Sequence, residues 1–137
     1  MNAINFWPIL VAAIVSFGIN SLWYSPILFG REWLALQKIS DKDIEDTDPR
    51  SVWILYVIHF ILILILYCIL AFAIFAANIT SASDGAFTGF LAWLGFTVPI
   101  LGSGLLWKKH SFILVLIEGI GYLVTFVIGG AIIGAWV

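Results

Sequence analysis

The chain has 137 residues, of which 63% are hydrophobic and only 10% charged, against about a quarter charged in ordinary soluble domains. That balance excludes a water-soluble fold, and a net charge of −2 with Lys108-Lys109 as the one basic cluster excludes nucleic-acid binding. A single cysteine, Cys68, excludes a disulfide framework and cysteine-type metal spacing.

Runs of about 20 apolar residues suffice to cross a bilayer core as helix, and four occur, near 6–25, 52–77, 86–107 and 112–136. Strands are a poor alternative, because a membrane barrel alternates polar and apolar residues and "HFILILILYCILAF" does not. The expected fold is all-α: an integral membrane four-helix bundle, one transmembrane domain over 1–137. The first run is expected to be retained, since no basic residue precedes Phe6 and no small-x-small cleavage site stands ahead of "WYSP".

That first run carries Asn20, roughly 8 Å inside Ser25 at the helical rise per residue, and leaves the membrane through "NSLWYSPILFGREW". Trp23 and Tyr24 suit the headgroup level. Ser25 is placed to cap, and Pro26 to open, a short interfacial helix over about 26–39. On that helix Leu28, Trp33, Leu36 and Ile39 share a face while Arg31, Glu32 and Lys38 lie off it, as suits a helix in the headgroup plane. Gly30 is expected to allow close packing, and Trp33 to anchor the helix.

The acidic stretch "SDKDIEDTDPR" follows. Ser40 and Asp43 form a capping box for one helical turn, and Asp48-Pro49 restarts the chain before the second span. The alternating Asp41, Asp43 and Glu45 lack the glycine and terminal glutamate of a calcium loop, so no metal site is expected.

In the second span, His59 lies seven residues past Val52, about 10 Å deep. In "NITSASDG", Ser81 and Ser83 are candidate N-caps and Asp84 sits in the first turn of the third span. Asn78-Ile79-Thr80 matches a glycosylation triplet that reads as an ordinary polar loop. Within the third span Pro99 cannot donate to the Gly95 carbonyl, which predicts a kink.

"KKH" allows only a tight hairpin into the fourth span, where Glu118 lies seven residues past Ser111, about 10 Å deep. Tyr122 and Thr125 follow on the same helix face. Intramembrane ionisable groups are costly, face the bundle interior and pair. Asn20, His59 and Glu118 are therefore expected in one polar layer, where Glu118 and His59 could exchange a proton.

Gly85 with Gly89 and Gly130 with Gly134 have the small-xxx-small spacing that lets helix backbones approach; spacing does not say whether within one chain or between copies. Trp7, Trp23, Tyr24, Trp33, Trp53, Trp107 and Trp136 fall near span ends, as an aromatic belt does. All six Lys and Arg fall in the first and third connections, which places those connections in the cytoplasm and both termini outside, in the inner (plasma) membrane.

"LWYSPILFGREW", "GFLAWLGF" and "GAIIGAW" together resemble the small, mostly bacterial four-span proteins grouped as domain of unknown function 1761. The resemblance covers nearly the whole chain in order. Its most specific part is Trp23, Tyr24, Ser25 and Pro26 with Phe29, Gly30 and Trp33. It implies an integral membrane protein and brings no activity, substrate or catalytic residue.

No nucleophile or metal cluster accompanies Glu118 and His59, so neither catalysis nor a cofactor is expected. The expected function is that of a structural or accessory membrane subunit or a self-associating bundle. Its expected partners are the lipid bilayer and a homo-oligomer or larger membrane complex. The alternative is a small proton-coupled transporter or channel with Glu118 as the protonatable site.

Overall fold

A computed structural model describes residues 5–136, so the termini that the charge bias places outside lie beyond the described residues. The described chain is all helix and connection. Four helical stretches are long and apolar enough to cross a membrane: Phe6–Trp23, Pro49–Ala76, Ala82–Trp107 and Phe112–Trp136. The first is α1, the second α4 and the fourth α7. The third is composite, running as α5 (Ala82–Ala92), a π-helical turn (Trp93–Thr97) and α6 (Val98–Trp107). Between α1 and α4 lie the short helices α2 (Gly30–Leu36) and α3 (Asp41–Glu45).

Local chemistry explains the helix starts. Asp48 accepts from the Arg50 N–H at 3.0 Å with Pro49 in the first turn, so α4 begins three residues before the expected span. Ser81 accepts from the Asp84 N–H at 3.2 Å and heads α5, while Ser83 sits inside the first turn. The expected capping box is present: Asp43 N–H donates to Ser40 Oγ at 3.2 Å and Ser40 N–H to Asp43 Oδ2 at 2.9 Å.

The interfacial helix is shorter than the sequence suggests and is not capped by Ser25. The Ser25 carbonyl accepts from both Leu28 N–H at 3.1 Å and Gly30 N–H at 2.9 Å, while Phe29 N–H returns to the Trp23 carbonyl at 3.1 Å. These bonds tie residues 25–29, Pro26 among them, into a tight reversal, and helix starts only at Gly30. The Ser25 hydroxyl donates back to the Leu22 carbonyl at 2.6 Å. A Cβ on Gly30 would overlap the Tyr24 carbonyl oxygen, so the reversal requires glycine there.

Pro99 leaves the helix ladder without a donor, and just upstream the third span widens by one residue. Val98 N–H reaches the Trp93 carbonyl five positions back, the bond pattern of a π turn.

Helix α7 is the hub, packing against α1, α4, α5, α6 and α2. In lipid no hydrophobic drive separates helices from their surroundings, so association rests on close packing and hydrogen bonds. Both are visible. Gly85 and Gly89 of α5 lie against α7 so closely that Cβ atoms there would overlap the Gly130 and Phe126 carbonyl oxygens. A Cβ on Gly134 would likewise overlap the Ser81 carbonyl oxygen. The glycine faces therefore meet within one chain.

The apolar core joins Ile9, Ala12 and Ala13 of α1, Ile63, Tyr67, Leu70, Ala71 and Ile74 of α4, and Ile133 of α7. Outside it, large apolar side chains are exposed along every span, among them Ile14, Leu62, Ile65, Phe72, Phe96, Ile100 and Ile113. A surface of that kind has no place in water and is what lipid contact calls for.

Candidate functional site

The polar chemistry of the bundle gathers along α7. At its upper end three indoles from three different segments converge on three successive residues. Trp23, at the end of α1, donates to the Ile117 carbonyl at 3.0 Å. Trp33, on α2, donates to Glu118 Oε1 at 3.2 Å. Trp93, on the π turn, donates to the Gly119 carbonyl at 2.9 Å.

Each indole has one donor and no acceptor, so each makes a directional bond that fixes its helix against α7. Gln37 Nε2 adds a longer bond to the same Glu118 oxygen at 3.5 Å. The half-buried Glu118 carboxyl is thus the acceptor that holds α2 across the bundle.

The tight reversal after α1 makes this possible by turning α2 back over α7. It also sets Trp23 against Phe29, the rings tilted at 45° with centroids 4.6 Å apart, and Tyr24 edge-on to Trp33 at 5.4 Å. The motif residues Trp23, Tyr24, Ser25, Pro26, Phe29, Gly30 and Trp33 therefore build one object, a cap over Glu118. Burial, then the Tyr122 hydroxyl and the Glu118 carboxyl nearby, push the Tyr24 phenol above the ordinary tyrosine range. Tyr122 itself is 42% exposed.

One layer deeper, the Thr125 hydroxyl shares its single proton between Asn20 Oδ1 at 3.2 Å and the Gly121 carbonyl at 3.1 Å. Deeper still, the Tyr67 hydroxyl donates to the Thr125 carbonyl at 2.8 Å and shares a hydrogen bond with Ser16 Oγ. Ser16 and Tyr67 have no exposed surface, and Thr125 very little. The Tyr67 ring lies on Gly129, where a Cβ would overlap it. This network links α1, α4 and α7, and every buried side-chain polar atom among the described residues has a partner.

The expected layer of Asn20, His59 and Glu118 is therefore divided. Asn20 belongs to the Thr125 network and Glu118 to the indole cap. His59 is exposed, lies beside Phe17 at a ring separation of 6.2 Å, and shares a cleft with Asn20. Helix position alone could not show this, since depth along an axis says nothing of azimuth.

Sequence reading passed over Ser16, Gln37, Tyr67 and Trp93. Ser16 and Tyr67 were detectable as lone hydrogen-bonding groups in apolar spans, and Trp93 as an indole far from either span end. Of the belt aromatics, Trp7, Trp53, Trp107 and Trp136 are at least half exposed and suit a belt, whereas Trp23 and Trp33 turn inward. Among the described residues no group of three His, Cys, Asp or Glu side chains converges as a metal site.

Four apolar spans, a lipid-type surface and a polar network confined to the helix interfaces define a multi-pass α-helical membrane protein. The model of the family described as protein of unknown function, DUF1761, matches residues 7–134, and the chain belongs to that family. Neither a curated protein nor a solved structure matches it.

Proposed function

We propose that this is an accessory subunit of a larger assembly in the inner (plasma) membrane, working through the segment between α1 and α4. In this reading both termini are outside, and the two connections that carry all six Lys and Arg face the cytoplasm. The observation that supports it is the Trp33–Glu118 bond. The half-buried Glu118 carboxyl positions α2, and so gives a fixed shape to the short segment that a partner would meet.

The glycine faces are already occupied within the chain, so they do not call for a second copy. The interior beneath Glu118 is filled by Tyr67, Ser16 and Thr125, which favours an accessory role over conduction through a single chain. The transport reading keeps one point in its favour, the Tyr122 hydroxyl beside the half-buried Glu118 carboxyl.

A photo-crosslinking residue at the exposed Ala35 of α2, with one at lipid-facing Ile65 as control, tests the proposal in native membranes. A discrete heterologous adduct from position 35 alone is expected. Adducts only with further copies would make the protein a self-associating bundle, and no adduct would end the accessory reading. In liposomes, the protein and its Glu118→Gln variant should conduct protons equally; a deficit in the variant would establish transport instead.

A further inference from the structure

Between α1 and α4, beside the indole cap and sharing Tyr24 with it, Phe17, Asn20, Ser21, Tyr24, Tyr56 and His59 line a cleft of about 200 Å³. Tyr56 is 55% exposed and His59 is exposed, so the cleft opens sideways from the bundle rather than into its core. Aromatic rings form much of the wall. Phe17 stands edge-on to Tyr56 at 6.0 Å and tilted to His59 at 6.2 Å, and Tyr24 closes the side nearest Glu118.

Some polar groups of the lining are already engaged. Ser21 Oγ donates to the Phe17 carbonyl at 2.8 Å, and Asn20 Oδ1 accepts from Thr125. The second lone pair of that amide oxygen, the two phenols and the imidazole of His59 remain for a guest. Unmet polar groups at membrane depth are unfavourable, so a guest that satisfies them is favoured.

The charge pattern selects the guest. No lysine or arginine lines the cleft to neutralise an anion, and the Glu118 carboxyl lies near its Tyr24 wall. Ring faces attract a cation, and an amide oxygen accepts hydrogen bonds from an ammonium. The volume is below the roughly 300–1,000 Å³ of sites that enclose whole small molecules. It suits a head group whose apolar body stays in lipid.

We infer that this cleft binds the ammonium head of an amphiphile entering sideways from the membrane. Two sources share that chemistry, an aminophospholipid and a free amphiphilic amine. The inference stands apart from the accessory role, since it uses none of α2 beyond the Tyr24–Trp33 contact.

The test uses the full chain in dodecyl maltoside micelles with benzylammonium, which keeps its N–H donors, as probe, followed by saturation-transfer NMR and titration. Benzyl sulfonate and benzyl alcohol serve as the anionic and neutral controls. The cation should bind saturably and more tightly than either. Tyr56→Ala should weaken it about two- to thirtyfold, the range of a cation–π contact from exposed to desolvated, while Tyr56→Phe keeps the ring and binds as wild type does. Tyr56 is half exposed, so both variants should melt as the wild type does.

Added phosphatidylethanolamine that displaces the probe identifies the lipid as the occupant; undiminished probe binding identifies a free amine. Equal binding of the three probes, or unchanged cation binding by Tyr56→Ala, would overturn the inference.

Discussion

The indole of Trp33 donates to the carboxyl of Glu118 at 3.2 Å, across 85 residues of sequence. Neither residue could hold this geometry alone. Gly30 and the Ser25 carbonyl bonds aim α2 back across the bundle, and the neighbouring indoles of Trp23 and Trp93 pin α1 and the third span to the same stretch of α7.

If that bond holds α2, removing either partner should free the same segment. Trp33→Phe and Glu118→Ala should each raise amide exchange and protease cutting between residues 31 and 45, at a cost of about 1–2 kcal/mol for a hydrogen bond to a carboxyl. The double variant should cost clearly less than the sum. Additive losses would mean that the two residues act separately.

The glycine contacts predict a sharp contrast among conservative substitutions. Gly85→Ala, Gly89→Ala and Gly130→Ala each push a methyl group into a facing backbone that cannot give way, so each should destabilise the bundle by several kcal/mol, at least the 1–3 kcal/mol of ordinary overpacking. Gly95→Ala and Gly102→Ala meet open space. They should be neutral or stabilise by up to about 1 kcal/mol, the helix propensity difference. Unfolding in mixed micelles would rank them.

The buried hydroxyl of Tyr67 bonds on both sides, to Ser16 and to the Thr125 carbonyl. Interhelical hydrogen bonds in membranes are worth about 0.6 kcal/mol on average and up to about 1.7, so Tyr67→Phe should fall in the upper part of that range. Gly129→Ala collides with the ring itself and should cost more than Tyr67→Phe. The opposite order would show that the hydroxyl, not the ring, organises this contact.

The spans, the Ser40–Asp43 box and the Ser81 cap were legible in the sequence because each is decided by neighbours within one helical turn or by composition. The small-residue faces were legible as faces; their partners were not, since Gly85 and Gly130 meet only once the chain has folded back on itself. The ends of α2 were misjudged because proline favours a first helical turn, yet the Ser25 carbonyl captures two N–H groups and holds Pro26 in a reversal. The role of Trp33 was hidden for a different reason. An indole at a span end reads the same whether it faces headgroups or a carboxyl 85 positions away.

One exposed segment gives a pH test. Bonds from the Ser40 backbone and side chain hold the Asp43 carboxyl below the usual aspartate range. A carboxyl with a lowered folded-state value contributes stability above its unfolded value and loses it as pH falls through the folded one. Amide protection over residues 41–45 should therefore be full at neutral pH and fade on acidification below the ordinary aspartate range. Ser40→Ala should lack this dependence while the four spans stay protected.

The π turn in the third span has a consequence for the length of that span. One residue corresponds to about 100° of rotation along a helix. The turn at Trp93–Thr97 therefore sets the phase between its two halves: Gly85 and Gly89 meet α7 from the first half, while Leu101 from the second lies 3.5 Å from the Cβ position of Gly119. Deleting one residue within the turn would restore a regular ladder and keep that phase, whereas a deletion elsewhere in the span would rotate one half by about 100° against the other. The spare residue works as slack taken up in a single turn, and it makes that turn the place where this span can lose one residue without turning its halves apart.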